Sequence, residues 1–187
     1  SYPTYEAHGF IWVWWGENPP ADLEPPTFFN NLDNGFYYGS AIDPWKAHYS
    51  RVIENQLDVA HLPFVHYNTI GRGNRTLIDG PIVNWCDTNK KMMCAYVFNR
   101  VDDGSKPRPA EELQPHDRQV HLEFIMPNLW QNYISDQVRI LAAFVPVDDT
   151  NTLLYLRFYQ KFLPLPILGK IVAQLSMPSN IYRAHQD

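Results

Sequence analysis

The sequence predicts an α+β fold, an antiparallel sheet of six or seven strands with helices over one face. Three observations lead there. Strand-like runs follow one another closely between residues 81 and 162, separated by polar turns. A helical run, Tyr49 to His61, precedes most of them, and a second begins at Pro164. Such close spacing leaves no room for parallel crossovers, so the strands form a meander.

The elements follow in order. Gly9 to Trp15 is dense in β-branched and aromatic residues and reads as a strand. Gly16 to Pro26 holds four of the sixteen prolines and reads as a rigid connection. Phe36 to Ile42 is a second strand, closed by a turn at Asp43-Pro44. Tyr49 to His61 is a helix with Ser50 as its cap, and Ile53, Leu57, Ala60 and Phe64 give its apolar face. Pro63 bends or ends it. Tyr67 to Gly80 reads as a loop. The sheet series comprises Pro81–Trp85, Lys91–Asn99, Gln119–Met126, Leu129–Ser135, Gln137–Val147 and Thr152–Phe162. In the third, Val120, Leu122, Phe124 and Met126 alternate with His121, Glu123 and Ile125. Pro164 to Met177 is helical, Pro178 breaks it, and Ser179 caps a new turn.

Composition narrows the function. The 187 residues carry 15 Lys+Arg against 20 Asp+Glu, a formal charge of -5, and no long basic field, which argues against nucleic-acid or anionic-membrane binding. No apolar stretch reaches the roughly 18 residues of a transmembrane helix. Cys86 and Cys94 are too few for a disulfide framework or a four-cysteine site. Reduced core cysteines are the expectation, with a pair facing across a hairpin as the alternative, and this favours a cytoplasmic protein. The abrupt strand at the start and the helix cut at its end predict a fragment of a longer polypeptide.

One constellation carries chemistry. Asn55, Asp58 and His61 recur three residues apart, stepping about 60° around a helix. His66 follows five residues after His61. In an unbroken helix those histidines diverge by about 140°, but a break at Pro63 lets His66 swing back. Two imidazoles and a carboxylate suit Fe(II), Zn or Mn. Asp58 is either a ligand or an acceptor that orients a histidine ring. An exposed helix with a histidine near its end remains the alternative.

The run from Glu54 to His66, with Asn55, Asp58, His61 and His66 in register, resembles the iron-binding signature of the Rieske non-haem iron oxygenases. Tyr2-Pro3, Glu6, His8-Gly9 and Phe10 to Trp14 resemble the segment that closes the Rieske domain in the aromatic-ring-hydroxylating alpha subunits. The resemblance implies residues 1–20 as the tail of a Rieske domain with its linker, and 21–187 as a catalytic domain truncated at its C-terminus. It implies a helix-grip fold of the START or Bet v 1 kind, an antiparallel sheet against a C-terminal helix. His61 and His66 would ligate a mononuclear Fe(II), and Asp187, after Gln186, would be the third ligand. Asp58 would bridge to the histidine-ligated 2Fe-2S Rieske cluster of a neighbouring subunit in a homotrimer, and Asn55 would stand beside the iron.

The implied reaction is O2-dependent hydroxylation or demethylation of an aromatic or other apolar substrate, with electrons from a reductase or ferredoxin. Phe64, Phe98, Phe124, Trp130 and Phe144 are candidates for the substrate pocket, each equally able to be plain core. Neither cysteine has the Cys-x-His or Cys-x-x-His spacing of a Rieske cluster, so the fragment alone should be inactive. The rival is a helix-grip binding module for an apolar ligand without catalytic iron. A zinc hydrolase or a structural subunit would explain the histidines less well.

Overall fold

The computed structural model describes residues 2–18, 24–32, 35–116 and 120–185. The chain divides into two compact units, Ser1–Asn34 and Gly35–Asp187.

The first unit contains a hairpin of β1 (Thr4–Ala7) and β2 (Phe10–Val13), paired Tyr5 to Trp12. His8 and Gly9 form its two-residue loop with φ of 56° and 69°. Two successive left-handed residues match the right-handed twist of a hairpin. The single strand expected over residues 9–15 is therefore the second arm of this hairpin.

The second unit is a seven-stranded antiparallel sheet with helices on one face. Its strands are β3 (Tyr37–Trp45), β4 (Leu77–Trp85), β5 (Met92–Arg100), β6 (His121–Ile125), β7 (Leu129–Ser135), β8 (Val138–Asp148) and β9 (Asn151–Gln160). They lie in the order β3-β9-β8-β7-β6-β5-β4. Short turns join β4 to β5 and β6 through β9, a longer connection of residues 101–120 joins β5 to β6 within the same meander, and β3 pairs with β9 at the far edge. Helices α1 (Tyr49–Leu57) and α2 (Leu62–Val65) leave β3, and α3 (Pro166–Leu175) and α4 (Met177–Ala184) follow β9.

Three expectations are corrected. Asp43-Pro44 does not end β3, because the strand runs on to Trp45; a proline is tolerated there since β3 is an edge strand. The first helix stops at Leu57, and His48, not Ser50, caps it: the His48 ring nitrogen accepts the Ser50 N–H at 3.3 Å. Cys86 and Cys94 are joined in a disulfide, with Cα atoms 5.8 Å apart, Cys86 lying just past the end of β4 and Cys94 on the neighbouring strand β5. Among the described residues no helix is long and apolar enough to cross a membrane.

Register sorts the sheet into two faces. Ala95, Leu122, Phe124, Trp130, Ala142, Phe144, Leu154 and Leu156 meet Val52 of α1 and Met177 of α4 in one core. The other face carries Cys94, Glu123 and Gln131 in one row, and Tyr96, His121, Tyr133, Arg139 and Tyr159 in the next. Alternation along each strand produces this division. The C-terminal helix α3 is clamped onto β3 at closest approach. A Cβ at Gly39 would stand 2.5 Å from the Ala173 backbone, so only glycine fits. The Gln174 side chain bonds both the N–H and the C=O of Ser40 across the same contact.

Candidate metal centre and cavity

The two histidines of the signature flank α2, a single turn. Helix α1 terminates because Asp58 takes an extended conformation, φ -74° and ψ 107°, and its Oδ1 accepts the Ala60 N–H at 2.8 Å. An aspartate that bonds the backbone two residues on offers the chain a turn in place of helix. The redirected chain enters α2 with His61 as its N-cap, and Pro63 sits in the first turn, where a missing N–H costs nothing. His66 is the C-cap. Its N–H donates to the Leu62 carbonyl at 3.1 Å, and its own carbonyl accepts from the N–H groups of Thr69 and Gly71, both at 2.9 Å. Backbone bonds at both ends therefore fix where His66 stands.

This break brings the rings together. Their centres are 5.3 Å apart, with planes inclined by 60°. Two imidazoles that share one ion at about 2.1 Å have ring centres roughly 4.5–5.5 Å apart, so the pair fits a mononuclear metal. His66 is 2% exposed. The His61 Nδ1 lies 3.6 Å from the Asp58 Oδ2, beyond a hydrogen bond but within ion-pair reach, while the Asp58 side chain is itself 49% exposed. Asp58 is thus turned toward His61 on one side and toward solvent on the other.

Both histidines open onto a cavity of about 380 Å³ beneath α2 and α4. Its apolar wall is Leu122, Trp130, Ile134, Ile140 and Leu156, all on the helix-facing side of the sheet. Asn180, Arg183 and Ala184, at helical spacing along α4, close the other side. Three buried polar atoms on its lining residues, Trp130 Nε1, Asn132 Oδ1 and Asn180 Oδ1, have no hydrogen-bond partner among the described residues. An unmet donor and two unmet acceptors beside an apolar space are costly unless a guest completes them. A neighbouring cavity of about 450 Å³ shares Leu62, Ile70 and Val120 with the first and carries Arg72, Arg75, Arg100 and Arg108.

The expected site residues are partly brought together. His61, His66 and Asp58 line one cavity, together with Trp130. Asn55 lines a separate hollow with Trp45 and His185, and its Oδ1 accepts a bond from Gln56 at 2.9 Å. Asp187 lies outside the described residues. Of the remaining pocket candidates, Phe124 and Phe144 belong to the core, Phe98 lines the arginine-bearing cavity, and Phe64 is 59% exposed. Sequence reasoning missed Asn132, Ile134, Ile140, Leu156, Asn180 and Arg183. The strand alternation that placed Leu122 could have found the sheet residues. No local signal marks Asn180 or Arg183. Among the described residues the one group of three donors that converges is elsewhere: Cys94, His121 and Glu123, on the opposite sheet face.

Comparison with known proteins bears on the family and the fold. A family model described as the vanillate O-demethylase oxygenase C-terminal domain matches residues 45–178. The chain is 36% identical over 103 residues to a vanillate O-demethylase oxygenase subunit of Pseudomonas sp. (strain HR199 / DSM 7063), covering 53% of this chain and 28% of that one. It is 32% identical over 77 residues to the chloroplastic chlorophyllide a oxygenase of Arabidopsis thaliana, covering 39% of this chain and 13% of that one. Among solved structures, the terminal oxygenase of carbazole 1,9a-dioxygenase from Nocardioides aromaticivorans IC177 superposes with a TM-score of 0.63 at 14% identity, over 95% of this chain and 53% of that one. At that identity the likeness concerns the fold. The chain spans about half the length of that oxygenase, and its matches cover less than a third of these two curated relatives.

Proposed function

Because the chain belongs to the vanillate O-demethylase oxygenase C-terminal domain family, we propose that it is the catalytic part of a Rieske-type mononuclear non-haem iron oxygenase. It would carry out O2-dependent hydroxylation or demethylation of an aromatic or other apolar substrate. The observation that carries this reading is the pair of imidazoles, one buried and one half-buried, 5.3 Å apart and facing an apolar cavity.

His61 and His66 would hold Fe(II), with the carboxylate of Asp187 as the third ligand. That residue continues, in sequence, the spacing of Asn180, Arg183 and Ala184 along the cavity side of α4. Bound iron supplies the activation of dioxygen that no side chain can perform. The chain's own residues do the rest. Leu122, Ile134, Ile140 and Leu156 hold the apolar body of the substrate and exclude water. Trp130 Nε1 donates to an oxygen of the substrate, and Asn132 and Asn180 accept from its hydroxyl or amine hydrogens. Asp58, 3.6 Å from the His61 Nδ1, would orient that ring by charge and leave the other nitrogen for the metal.

Because Asp58 is half exposed, the same carboxylate can reach a histidine of a 2Fe-2S Rieske cluster on a neighbouring subunit of a homotrimer. A reductase or ferredoxin would supply the electrons. The hairpin unit would be the tail of the Rieske domain, and the sheet with its C-terminal helices a helix-grip domain. Arg100 and Arg108 are paired with Asp79, but Arg72 and Arg75 beside the shared wall favour substrates that also carry an anionic group, of the kind named by vanillate and toluene-4-sulfonate in the relatives. The apolar cavity also suits a second reading, a binding module for an apolar ligand without catalytic iron.

Metal analysis after anaerobic Fe(II) loading tests the proposal on the chain as it stands, on His61→Ala, and on a form extended past Asp187. About one iron per chain, lost in His61→Ala, is the expected result. Absence of iron from every form, with retention of an apolar ligand, would replace the oxygenase with the binding module.

A further inference from the structure

The sheet face turned away from the cavity holds a second set of metal-ligating side chains. Cys94 on β5 stands directly across from Glu123 on β6, and His121 follows two residues before Glu123 on the same face. Leu122, between them, points to the other side and lines the cavity. Strand register thus places a cysteine sulfur, an imidazole and a carboxylate in one triangle, with donor atoms all within 4.8 Å of one another.

The surroundings hold this triangle in place. Cys94 is 2% exposed and Glu123 4%. The His121 Nε2 lies 3.1 Å from the Glu123 Oε1, and the Gln131 amide donates to the other carboxylate oxygen. The His121 ring stacks on Tyr133 at 4.5 Å and leans on Tyr96 at 5.2 Å. A buried carboxylate oriented by an amide, and an imidazole wedged between two rings, are the ordered ligands a metal site needs.

The third donor is tied up, since Cys94 is bonded to the exposed Cys86. We propose that Cys94, His121 and Glu123 form a redox-gated site for a divalent ion of intermediate softness, Zn2+ above all. The disulfide closes it and reduction opens it. A dithiol reductant gives two electrons and two protons to the S–S bond, leaving two protein thiols and its own disulfide. Cys94 then releases its proton to water as its sulfur takes the ion.

One sulfur, one nitrogen and one oxygen donor suit zinc, with the fourth position open to water or a small ligand. Donors around a tetrahedral ion sit roughly 3.4–3.8 Å apart, so the triangle must contract by about 1 Å, which a freed Cys94 sulfur reaches by side-chain rotation. Charge gives the gate its sharpness. The Arg139 guanidinium lies 3.4 Å over the Tyr133 ring, on the same face, and opposes a cation. In the disulfide form Glu123 and Asp136 offset it, and in the reduced form the Cys94 thiolate adds a further negative charge.

Anaerobic titration with Co2+ alone tests this, because cobalt bound by thiolate absorbs in the near ultraviolet. The reduced chain should bind one Co2+ with that band, and the oxidised chain should lack it. Cys86→Ser should bind without reductant, Cys94→Ser should show no band in either state, and His61→Ala should leave the band unchanged. In the Cys86→Ser background, His121→Ala and Glu123→Gln should each weaken Co2+ binding at least about tenfold. Lack of a thiolate band in both the reduced chain and Cys86→Ser would overturn the proposal. So would a band that survives in Cys94→Ser or disappears with His61→Ala.

Discussion

Replacing Gly71 by alanine tests whether the loop after α2 holds His66 in place. A Cβ at residue 71 would stand 2.1 Å from the Leu62 carbonyl oxygen and 2.9 Å from the Pro63 Cα. Real Cβ atoms keep at least 3.0 Å from such neighbours, so the two segments must part by about 0.9 Å. Both neighbours are backbone, and no side-chain rotation relieves them. The displaced carbonyl is the one that accepts the His66 N–H, while the Gly71 N–H donates to the His66 carbonyl. Strain therefore enters on both sides of His66. Overpacking of this kind costs about 1–3 kcal/mol. A shift near 0.9 Å also exceeds the roughly 0.5 Å that a preorganised site tolerates. Fe(II) affinity should fall about 10–100-fold, measured anaerobically by competition with a chelator, and thermal denaturation should report the loss of stability. Gly71→Ala with iron affinity within twofold and an unaltered melting temperature would refute the argument that this contact positions His66.

Phe144 is fully buried in the core behind the cavity. Phe144→Ala should cost about 3–5 kcal/mol and lower the melting temperature by about 10 °C in calorimetry. Gly39→Ala forces β3 from the Ala173 backbone, so hydrogen exchange should accelerate across α3 while β6 and β7 stay protected. Burial pushes the Asp79 carboxyl up, but the Arg108 N–H and the Arg100 and Arg108 guanidinium groups outweigh it and bring its pKa down to about 2. A folded-state pKa below the ordinary 3.8 stabilises the protein above that value, and the benefit is lost as pH falls through about 2. Urea unfolding should show that decline in the wild type and flatten it in Asp79→Asn. The variant should lose about 2 kcal/mol at neutral pH, less than for a fully buried pair because both arginines reach solvent.

The meander was legible because its signals are local. Alternation in β6, polar turns between runs and a helix-breaking proline each act within a few residues, and the expected bounds of Leu129–Ser135 match β7. The edge behaviour of Pro44 was not legible, because only the sheet order shows that its missing N–H faces no partner strand. The extent of α1 was misjudged for a similar reason. Helical spacing continues through Ala60 and Phe64, but the Asp58 side chain competes for the backbone and wins. His48 had no visible role in sequence, since its contribution is a lone pair aimed at the Ser50 N–H.

What the residues by themselves determined was a candidate donor set: two histidines and an aspartate at set spacing, with a proline between the histidines. That follows from side-chain identity and needs no coordinates. Tertiary structure alone decided which residues those histidines share a cavity with. Strands distant in sequence bring Asn132, Ile140 and Leu156 to one wall, and α4 returns Asn180 to face them. The pairing of Cys94 with Cys86, and its grouping with Glu123 and His121, was decided in the same way. Cross-strand register is a non-local quantity: the pleat period assigns each side chain to a face, but only the assembled sheet determines what stands opposite it.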